Sequence, residues 1–271
     1  MLKITHEEFN LFSKYIKDNY GICLNKEKRE LLVGRLYRVI EELNMSSFRQ
    51  YYKYLLNDQT GTATNLFIDC ITTNHTYFMR ESSHFDFLIK EVLPYLRRTI
   101  RDGDLRVWCA ACASGEEAYT LAMIIDEFTQ REKMFWDKKI LATDLSRQVL
   151  DKAQAGIYKT EGISKLPTKW QENYFDTLTP ELSVVKTKLK KEIIFRQFNL
   201  ITAEYPFRRK FHVIFCRNVM IYFDATTRQA ILNRFYEILE PGGYLFIGKS
   251  ESLGTHYGGF HYVCPSIYRK T

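Results

Sequence analysis

Residues 107–119, VWCAACASGEEAY, bring together side-chain types that could do chemistry. Cys109 and Cys112 have the C-x-x-C spacing of thiol redox sites and of half of many zinc sites. A redox pair needs an exposed position at a helix N-terminus, whereas Cys109 lies in a predicted strand and Cys112 in the following turn. Zinc would need two further ligands, and the chain has neither a second C-x-x-C nor a clustered pair of histidines. We therefore expect both thiols to pack in the core, and we predict no metal site.

The loop after Cys109 consists of small residues and is followed by two carboxylates. Residues 110–115, AACASG, would let a ligand lie close to the backbone, and Gly115 permits a turn that a branched residue would not accept. The phosphate-binding pattern G-x-G-x-x-G is absent. Glu116 and Glu117 follow the glycine at a predicted helix N-terminus, where the helix dipole alone accounts for one of them. Because a second carboxylate would repel a phosphate, the pair favours a ligand with an amino group or hydroxyls.

Asp144 ends a second apolar run, ILATD. An acid at the end of such a strand accepts hydrogen bonds from ribose hydroxyls in nucleotide-binding folds, although it can also cap the next helix. Together with the acidic loop of small residues, Asp144 predicts a ligand that joins a nucleoside to an amino acid, which is S-adenosylmethionine.

A third apolar run, HVIFC, is followed by Arg217 and Asn218, with Tyr222 just beyond them. This signal is weak by itself, because Tyr222 could equally be a core aromatic residue. The Asn/Asp-Pro-Pro-aromatic turn of enzymes that methylate exocyclic amines of nucleic acids is missing here. Cys264 precedes Pro265 in a predicted edge strand, so nothing supports a cysteine nucleophile.

An α/β sheet would bring these residues together. From residue 105 onward, apolar runs alternate with helical patterns at 116–128, 146–155 and 226–239. This alternation predicts a mostly parallel sheet with crossover helices, and such sheets bind ligands at the carboxyl ends of their strands. The last segment, FHYVCPSIYRK, is predicted to return antiparallel to an edge. The alternation breaks at 156–198, where LSVVKTKLKKEIIFRQF predicts a hairpin or small sheet within an insertion.

The region from residue 6 to about 71 has a helical pattern instead. Four apolar residues recur at the spacing of one helix face: Leu32, Leu36, Val39 and Leu43. Asn25 is the predicted N-cap of this helix. The helix also carries basic residues, which form either a solvated face or a docking surface for an acidic helix: Lys26, Lys28, Arg29, Arg35 and Arg38.

Composition limits the classes of protein that remain. With 271 residues, of which 45% are hydrophobic, the chain can build one large core and a smaller companion domain, so collagen-like and disordered classes are excluded. No signal peptide or run of roughly 18 apolar residues occurs, and the scattered cysteines are typical of a reducing compartment. We therefore expect a cytoplasmic protein without membrane insertion. The net charge of +7 is compatible with an acidic partner, an anionic substrate or nucleic acid.

Most of the chain resembles a known family. The motifs that carry the resemblance occur in one order: ITTNHTYFMRE, VWCAACASGEEAYTLAM, ILATDLSRQVLDKAQAGIY, FNL, FCRNVMIYFD and LEPGGYLFIGKSESL. They are similar to those of the chemotaxis receptor methyltransferases (CheR), which use S-adenosylmethionine to esterify glutamates on receptor signalling helices. The resemblance implies a Rossmann-like class I S-adenosylmethionine-dependent methyltransferase domain with a small β-subdomain insertion, preceded by an all-α domain. The expected bounds are 1–73 for the helical domain, 74–103 for a linker, and 104–271 for the methyltransferase domain with its insertion at about 156–198.

The resemblance also implies functional residues by position. The family's cofactor contacts fall on Asn74, Thr76, Arg80, Glu116, Asp144, Asn199, Leu200, Arg217 and Asn218. Arg80 and Tyr222 would lie nearest the transferred methyl group, and they are the predicted catalytic residues. The chain departs from the family at Ala118, His212 and Lys249, where proline, aspartate and histidine are common. Ala118 affects the rigidity of a helix start rather than chemistry, while the other two leave the cofactor set intact but put substrate preference in doubt.

The implied reaction needs alignment rather than a general base, because a glutamate with a reference pKa of about 4.3 is already an anion at neutral pH. Arg80 would anchor a carboxylate of the cofactor or of the substrate, and Tyr222 would orient the target oxygen. The expected partner is the glutamate-rich coiled-coil region of chemotaxis receptors, with no nucleic acid and with the enzyme as a monomer. Three alternatives stay open: a methyltransferase for RNA or a small molecule, a non-catalytic S-adenosylmethionine sensor, and a thiol redox protein.

Overall fold

Two β-sheets organise the computed structural model, which describes residues 3–24, 29–132, 135–254 and 256–271. The strands, in chain order, are β1 (Val107–Cys109), β2 (Ile140–Asp144), β3 (Ile157–Lys159), β4 (Phe175–Thr177), β5 (Leu182–Val185), β6 (Ile193–Gln197), β7 (Phe211–Cys216), β8 (Leu239–Ile247), β9 (His256–Tyr257), β10 (Phe260–Cys264) and β11 (Ile267–Lys270). The main sheet has the order β6-β2-β1-β7-β8-β11-β10-β9, and the small sheet has the order β3-β5-β4.

The helices surround the main sheet and precede it. In chain order they are α1 (His6–Tyr20), α2 (Arg29–Glu42), α3 (Phe48–Leu56), α4 (Thr62–Ile71), α5 (Ser82–Phe87), α6 (Leu93–Thr99), α7 (Glu116–Thr129), α8 (Arg147–Ala155), α9 (Thr160–Ile163), α10 (Thr168–Tyr174), α11 (Thr187–Lys190) and α12 (Ala225–Ile238). A π-helical turn (Leu88–Val92) joins α5 to α6, and a 3-10 turn (Met220–Tyr222) follows β7. Within the described residues, no helix is both long and apolar enough to cross a membrane.

The predicted mostly parallel sheet is confirmed. Strands β6, β2, β1, β7 and β8 pair in parallel, with α7 crossing from β1 to β2 and α12 from β7 to β8. Every residue of β1 is buried, because helices cover both faces of a parallel sheet. The C-terminal segment returns antiparallel as predicted: β11 pairs with β8, and β10 and β9 extend the sheet beyond it. In the main sheet, β2 and β7 lie on opposite sides of β1. The strand order therefore reverses at β1, and such a reversal creates the crevice in which these folds bind ligands.

The prediction of a hairpin over the segment LSVVKTKLKKEIIFRQF was wrong for its second half. Strand β5 belongs to the small sheet, but β6 pairs in parallel with β2 as an edge strand of the main sheet. In β6 the residues Ile193 and Phe195 are buried while Ile194 is 38% exposed. An edge strand with one covered face has the same alternating pattern as a hairpin strand, so the sequence could not separate the two.

The predicted all-α domain is formed by helices α1–α4. Helix α1 begins with a capping box between Thr5 and Glu8, and it ends at Gly21, whose φ of 71° is the left-handed conformation that favours glycine. The core of the domain consists of buried residues from all four helices, among them Phe12, Ile16, Leu32, Leu36, Val39, Tyr51 and Phe67. This core is continuous with residues on one face of the main sheet, including Trp108 and Ile214. The helical domain is therefore packed against the α/β domain rather than tethered beside it.

Three residues of the predicted basic face on the second helix are described, and two of them are used within the protein. Arg29 donates to the carbonyl of Ile4, and Arg35 donates to the carbonyls of Cys70 and Thr72. These two arginines thus hold the helical domain together, whereas Arg38 is exposed. The other three residues of this prediction, the N-cap Asn25 and the basic Lys26 and Lys28, lie outside the described residues.

Candidate functional site

A cavity of about 270 Å³ lies at the carboxyl ends of β1, β2 and β7. Its walls come from three parts of the chain: the helical domain with Tyr20 and Ile22, the linker, and the strand ends of the α/β domain. The helical domain closes the cavity through backbone pairing, because Ile22 forms an isolated antiparallel bridge with Phe223. Its position is the one that a doubly wound sheet gives to ligands.

The structure brings almost all the predicted site residues to this cavity. Those that line it are Asn74, Thr76, Arg80, Asp144, Asn199, Leu200, Arg217, Asn218 and Tyr222. Glu116 does not line the cavity, but the next residue, Glu117, does. Glu116 instead accepts a hydrogen bond from the hydroxyl of Ser114 at 2.7 Å, and burial raises its pKa. Two adjacent glutamates at a helix start cannot be told apart by spacing, since the phase of the helix decides which one faces the ligand.

The small-residue loop serves two purposes. Ala110, Ala111 and Ala113 line the cavity, as predicted for a close approach to the backbone. Gly115, however, is packed against protein: a Cβ atom there would lie 2.8 Å from Cβ of Ala153 and 2.9 Å from the hydroxyl of Tyr158. Its φ of 98° also lies in the region that favours glycine. The glycine therefore fits the loop against α8 and β3, and the alanines provide the surface for a ligand.

Replacing Gly115 with alanine is expected to destabilise the protein by at least about 2 kcal/mol, because overpacking adds to the cost of a positive φ. Urea unfolding followed by circular dichroism measures this change. The matched control is Gly34→Ala in α2, where an added Cβ meets nothing within 4 Å. This control is expected to be stabilising by about 0.5–1 kcal/mol. Equal stability of the two variants would contradict the packing role of Gly115.

Cys109 and Cys112 are buried, as predicted. Burial raises the pKa of both thiols well above the ordinary value, and the nearby carboxylates of Glu117 and Asp144 add to the effect. A thiol held in its protonated form is neither a good nucleophile nor a good metal ligand. Within the described residues, no group of three or more His, Cys, Asp or Glu side chains could hold a metal ion. The C-x-x-C spacing in this chain therefore reflects packing.

Asp144 fixes the loop and presents its carboxylate at the cavity. Its Oδ2 accepts the N–H of Ala113 at 2.9 Å, and its Oδ1 accepts the N–H of Ser146 at 3.0 Å. Burial raises the pKa of Asp144, while these backbone hydrogen bonds oppose the rise. Each carboxylate oxygen has a second lone pair, so the group can also accept hydrogen bonds from a pair of hydroxyls.

Arg217 is buried in the wall of the cavity between two carboxylates. Its side chain is 1% exposed, Nη1 lies 2.6 Å from Oε2 of Glu117, and Nη2 lies 3.0 Å from Oε2 of Glu81. Burial by itself would lower the pKa of Arg217, but the charges of Glu117 and Glu81 outweigh burial and raise it. The guanidinium charge is thus neutralised within the protein, and Arg217 is poorly suited to hold a ligand anion.

Arg80 is the contrasting cation of the cavity. Its Nη1 donates to the carbonyl of His75 at 2.7 Å, and within the described part of the chain it forms no ion pair. The residues on either side, Met79 and Glu81, have φ values of 60° and 58°. This left-handed conformation costs about 1–2 kcal/mol for a residue with a side chain. The backbone around Arg80 is therefore held in an unfavourable shape by its surroundings.

Tyr222 and Asn218 lie on the loop after β7. The carbonyl of Tyr222 accepts the N–H of Cys23 at 2.9 Å, so the helical domain fixes this part of the loop. Glu251 accepts the N–H groups of Asn218 and Gly248 through one oxygen and thereby joins the loops after β7 and β8. Glu251 lies within the motif LEPGGYLFIGKSESL, but nothing in its local pattern predicted this role.

Asn199 and Leu200, which follow β6, also line the cavity. The amide of Asn199 donates to the carbonyl of Asn19 at 2.9 Å, and its oxygen accepts the N–H of Ile201 at 3.2 Å. These two hydrogen bonds fix the orientation of the Asn199 side chain. Leu200 and Phe198 contribute apolar surface beside it. The wall is thus suited to a flat, mainly apolar group such as a purine ring.

The residues present fit S-adenosylmethionine. The apolar wall suits the adenine, the carboxylate of Asp144 suits the ribose hydroxyls, and the unpaired guanidinium of Arg80 suits the carboxylate of the amino-acid end. Glu117 at the N-terminus of α7 leaves no favourable place for a phosphate. The fold and the cavity together define the class of protein: a class I S-adenosylmethionine-dependent methyltransferase.

Comparisons with known proteins identify the family within this class. Residues 7–72 match the family model "CheR methyltransferase, all-alpha domain", and residues 74–267 match "CheR methyltransferase, SAM binding domain". The chain is 39% identical to the chemotaxis protein methyltransferase of Borreliella burgdorferi over 99% of this chain and 96% of the relative. It is 37% identical to that of Escherichia coli over 93% of this chain and 86% of the relative. The chain belongs to the CheR methyltransferase family, and its cofactor is S-adenosylmethionine.

Proposed function

We propose that the protein transfers the methyl group of S-adenosylmethionine to glutamate side chains of chemotaxis receptors in the cytoplasm and forms glutamate methyl esters. The observation that carries this proposal is the pairing of charges in the cavity: Arg217 is neutralised by two glutamates, and Arg80 is not. An unpaired cation near an apolar, acid-lined cavity suits a reaction in which carboxylates must be aligned.

The reaction requires no general base from the protein. When bound, S-adenosylmethionine supplies a methyl group on a positively charged sulfur, and the C–S electrons stay with sulfur as the carboxylate oxygen forms the ester bond. The target glutamate is already an anion at neutral pH, since its reference pKa is about 4.3. Glu117 is tied to Arg217, and Asp144 to backbone N–H groups, so neither serves as a base. The contribution of the chain is alignment and the exclusion of water.

Each part of the cavity has a role in that alignment. Asp144 accepts hydrogen bonds from the ribose hydroxyls, and the backbone at Asn199 and Leu200 borders the adenine. Arg80 binds the carboxylate of the cofactor through its planar fork of N–H donors. Tyr222 donates a hydrogen bond that orients the target oxygen.

The remaining cofactor contacts follow from the linker and from α7. The side-chain N–H of Asn74 donates to the hydroxyl of Thr72 at 3.1 Å. The amide oxygen of Asn74 therefore accepts a hydrogen bond from the cofactor's amino group. Thr76, also in the linker, lines the same cavity. Glu117 replaces Glu116 as the proposed carboxylate for the amino group, because only Glu117 lines the cavity. Asn218 borders this end of the cavity from the loop after β7.

The proposed substrate is the glutamate-rich coiled-coil region of a chemotaxis receptor, bound by a monomer of the enzyme. Among the arginines of α2, the exposed Arg38 is the one available to an acidic helix. Attraction between exposed charges is screened within about 10 Å at 0.1 M salt. Docking should therefore weaken as the salt concentration rises.

The experiment is methyl transfer from tritiated S-adenosylmethionine to purified receptor cytoplasmic fragments. Label should appear in base-labile esters on the native fragment and not on a fragment whose candidate glutamates are replaced by glutamine. Transfer to RNA, or binding of the cofactor without transfer to any receptor fragment, would contradict the proposal.

A further inference from the structure

The carboxylate of Glu81 joins the linker to the ends of two strands. Its Oε2 accepts hydrogen bonds from Nη2 of Arg217 at 3.0 Å and from the backbone N–H of Lys249 at 3.1 Å. Its Oε1 accepts one from the side-chain amide of Asn218 at 3.2 Å. Arg217 and Asn218 follow β7, and Lys249 follows β8. One side chain that is 15% exposed therefore fastens the linker to both strand ends.

Arg80 lies inside this arrangement. Nη2 of Arg217 also donates to the carbonyl of Arg80 at 2.5 Å, so Arg80 is fixed through its own carbonyl and through the side chain of its neighbour Glu81. Met79 and Glu81, which flank Arg80, both have positive φ values. Such a conformation persists only where the surroundings determine it. Without the carboxylate, the backbone can relax, and the guanidinium of Arg80 would point elsewhere.

We propose that Glu81 is a positioning residue for methyl transfer: by clamping the linker to the ends of β7 and β8, it holds the guanidinium of Arg80 in the cofactor cavity. The proposal rests on the proposed function, since Arg80 is the group that is positioned. Glu81 does not line the cavity itself. Glu81 therefore acts through the residues that it holds, and the proposal assigns its main effect on catalysis to Arg80.

The first test compares Glu81→Gln and Glu81→Asp with the wild type. Both are expected to lower kcat by about 10²-fold, because a misplacement of about 1 Å has that effect on an aligned reaction. Glu81→Asp keeps the charge next to Arg217 but shortens the reach, so it tests positioning even if the glutamine variant folds poorly. The matched control is Glu132→Gln, since Glu132 is also 15% exposed and also pairs with an arginine, Arg97, away from the cavity. The control should keep the wild-type kcat.

The second test separates positioning from a general structural role. Binding of S-adenosylhomocysteine is measured by calorimetry for Glu81→Gln in the wild-type and in the Arg80→Ala backgrounds. In the wild-type background binding should weaken about 10-fold, the loss of one charge-assisted hydrogen bond, while in the Arg80→Ala background it should change less than about twofold. An equal loss in both backgrounds, or an unchanged kcat for both Glu81 variants, would overturn the proposal.

Failure of the proposed function has a different signature. In that case the wild-type protein does not methylate receptor fragments, whereas the coupling between Glu81 and Arg80 in S-adenosylhomocysteine binding is still present. Loss of the coupling with receptor methylation intact would refute the clamp alone.

Discussion

The Arg80→Ala variant is expected to lose about 10²–10³-fold in kcat/KM for receptor methylation while remaining folded. The reason is that Arg80 forms no ion pair within the described residues, so its removal leaves no buried carboxylate unpaired but takes away the bidentate anchor in the cavity. Initial rates with tritiated S-adenosylmethionine measure the effect. Circular dichroism and thermal unfolding show whether the fold is retained.

Two further variants make the Arg80 prediction sharper. Arg80→Lys keeps the charge but loses the planar fork, so its activity should lie between those of the wild type and Arg80→Ala. Arg98→Ala removes an exposed arginine of α6 and should leave the rate unchanged. Wild-type activity in Arg80→Ala would refute the role given to this residue.

Replacing Arg217 with methionine is expected to destabilise the protein by about 3–5 kcal/mol, because one partner of a buried charge network is removed and the others are left unpaired. The carboxylates of Glu81 and Glu117 would then face each other at a site where the Arg217 side chain was 1% exposed. Urea unfolding of the purified variant measures the change in the free energy of unfolding.

The matched control for this second prediction is Arg97→Met. Arg97 also forms an ion pair with a glutamate, at 2.6 Å, but its side chain is 57% exposed. The expected loss there is about 0–1 kcal/mol, as is typical of exposed ion pairs. A similar loss for both variants would mean that Arg217 is not the centre of a buried network.

The elements whose patterns are local could be predicted from the sequence. The alternation of apolar runs and helices predicted the parallel sheet. The position of Asp144 at the end of the run ILATD predicted its place at the cavity. The buried face of α2 followed from the spacing of Leu32, Leu36 and Val39. In each case one short stretch of chain carries the whole signal.

Features that depend on distant contacts could not be predicted in this way. Whether β6 joins the main sheet depends on its parallel pairing with β2, in which Ile193 lies beside Ile140. The pattern of β6 itself does not encode this pairing with a strand far away in the chain.

Distant contacts also decide which single side chains belong to the site. Glu116 and Glu117 have the same local signal, and contacts with Cys109 of β1 and with Arg217, which follows β7, distinguish Glu117. The structural use of Arg35 likewise depends on carbonyls at the end of α4. Glu81 lies within a quoted motif, but its three partners come from the ends of two strands far along the chain. Sequence thus predicted which segments meet at the cavity, and tertiary contacts decided which side chains face it.

A crystal structure of the protein with S-adenosylhomocysteine would test the cofactor site. We expect electron density for the ligand between Asp144 and Arg80, with the ribose hydroxyls on the carboxylate of Asp144. The ligand carboxylate should lie about 2.7–2.9 Å from the guanidinium of Arg80, and Arg217 should stay paired with its two glutamates. Density outside this cavity, or a ligand carboxylate bound to Arg217 with Arg80 turned away, would show that Arg80 is not the cofactor's anchor.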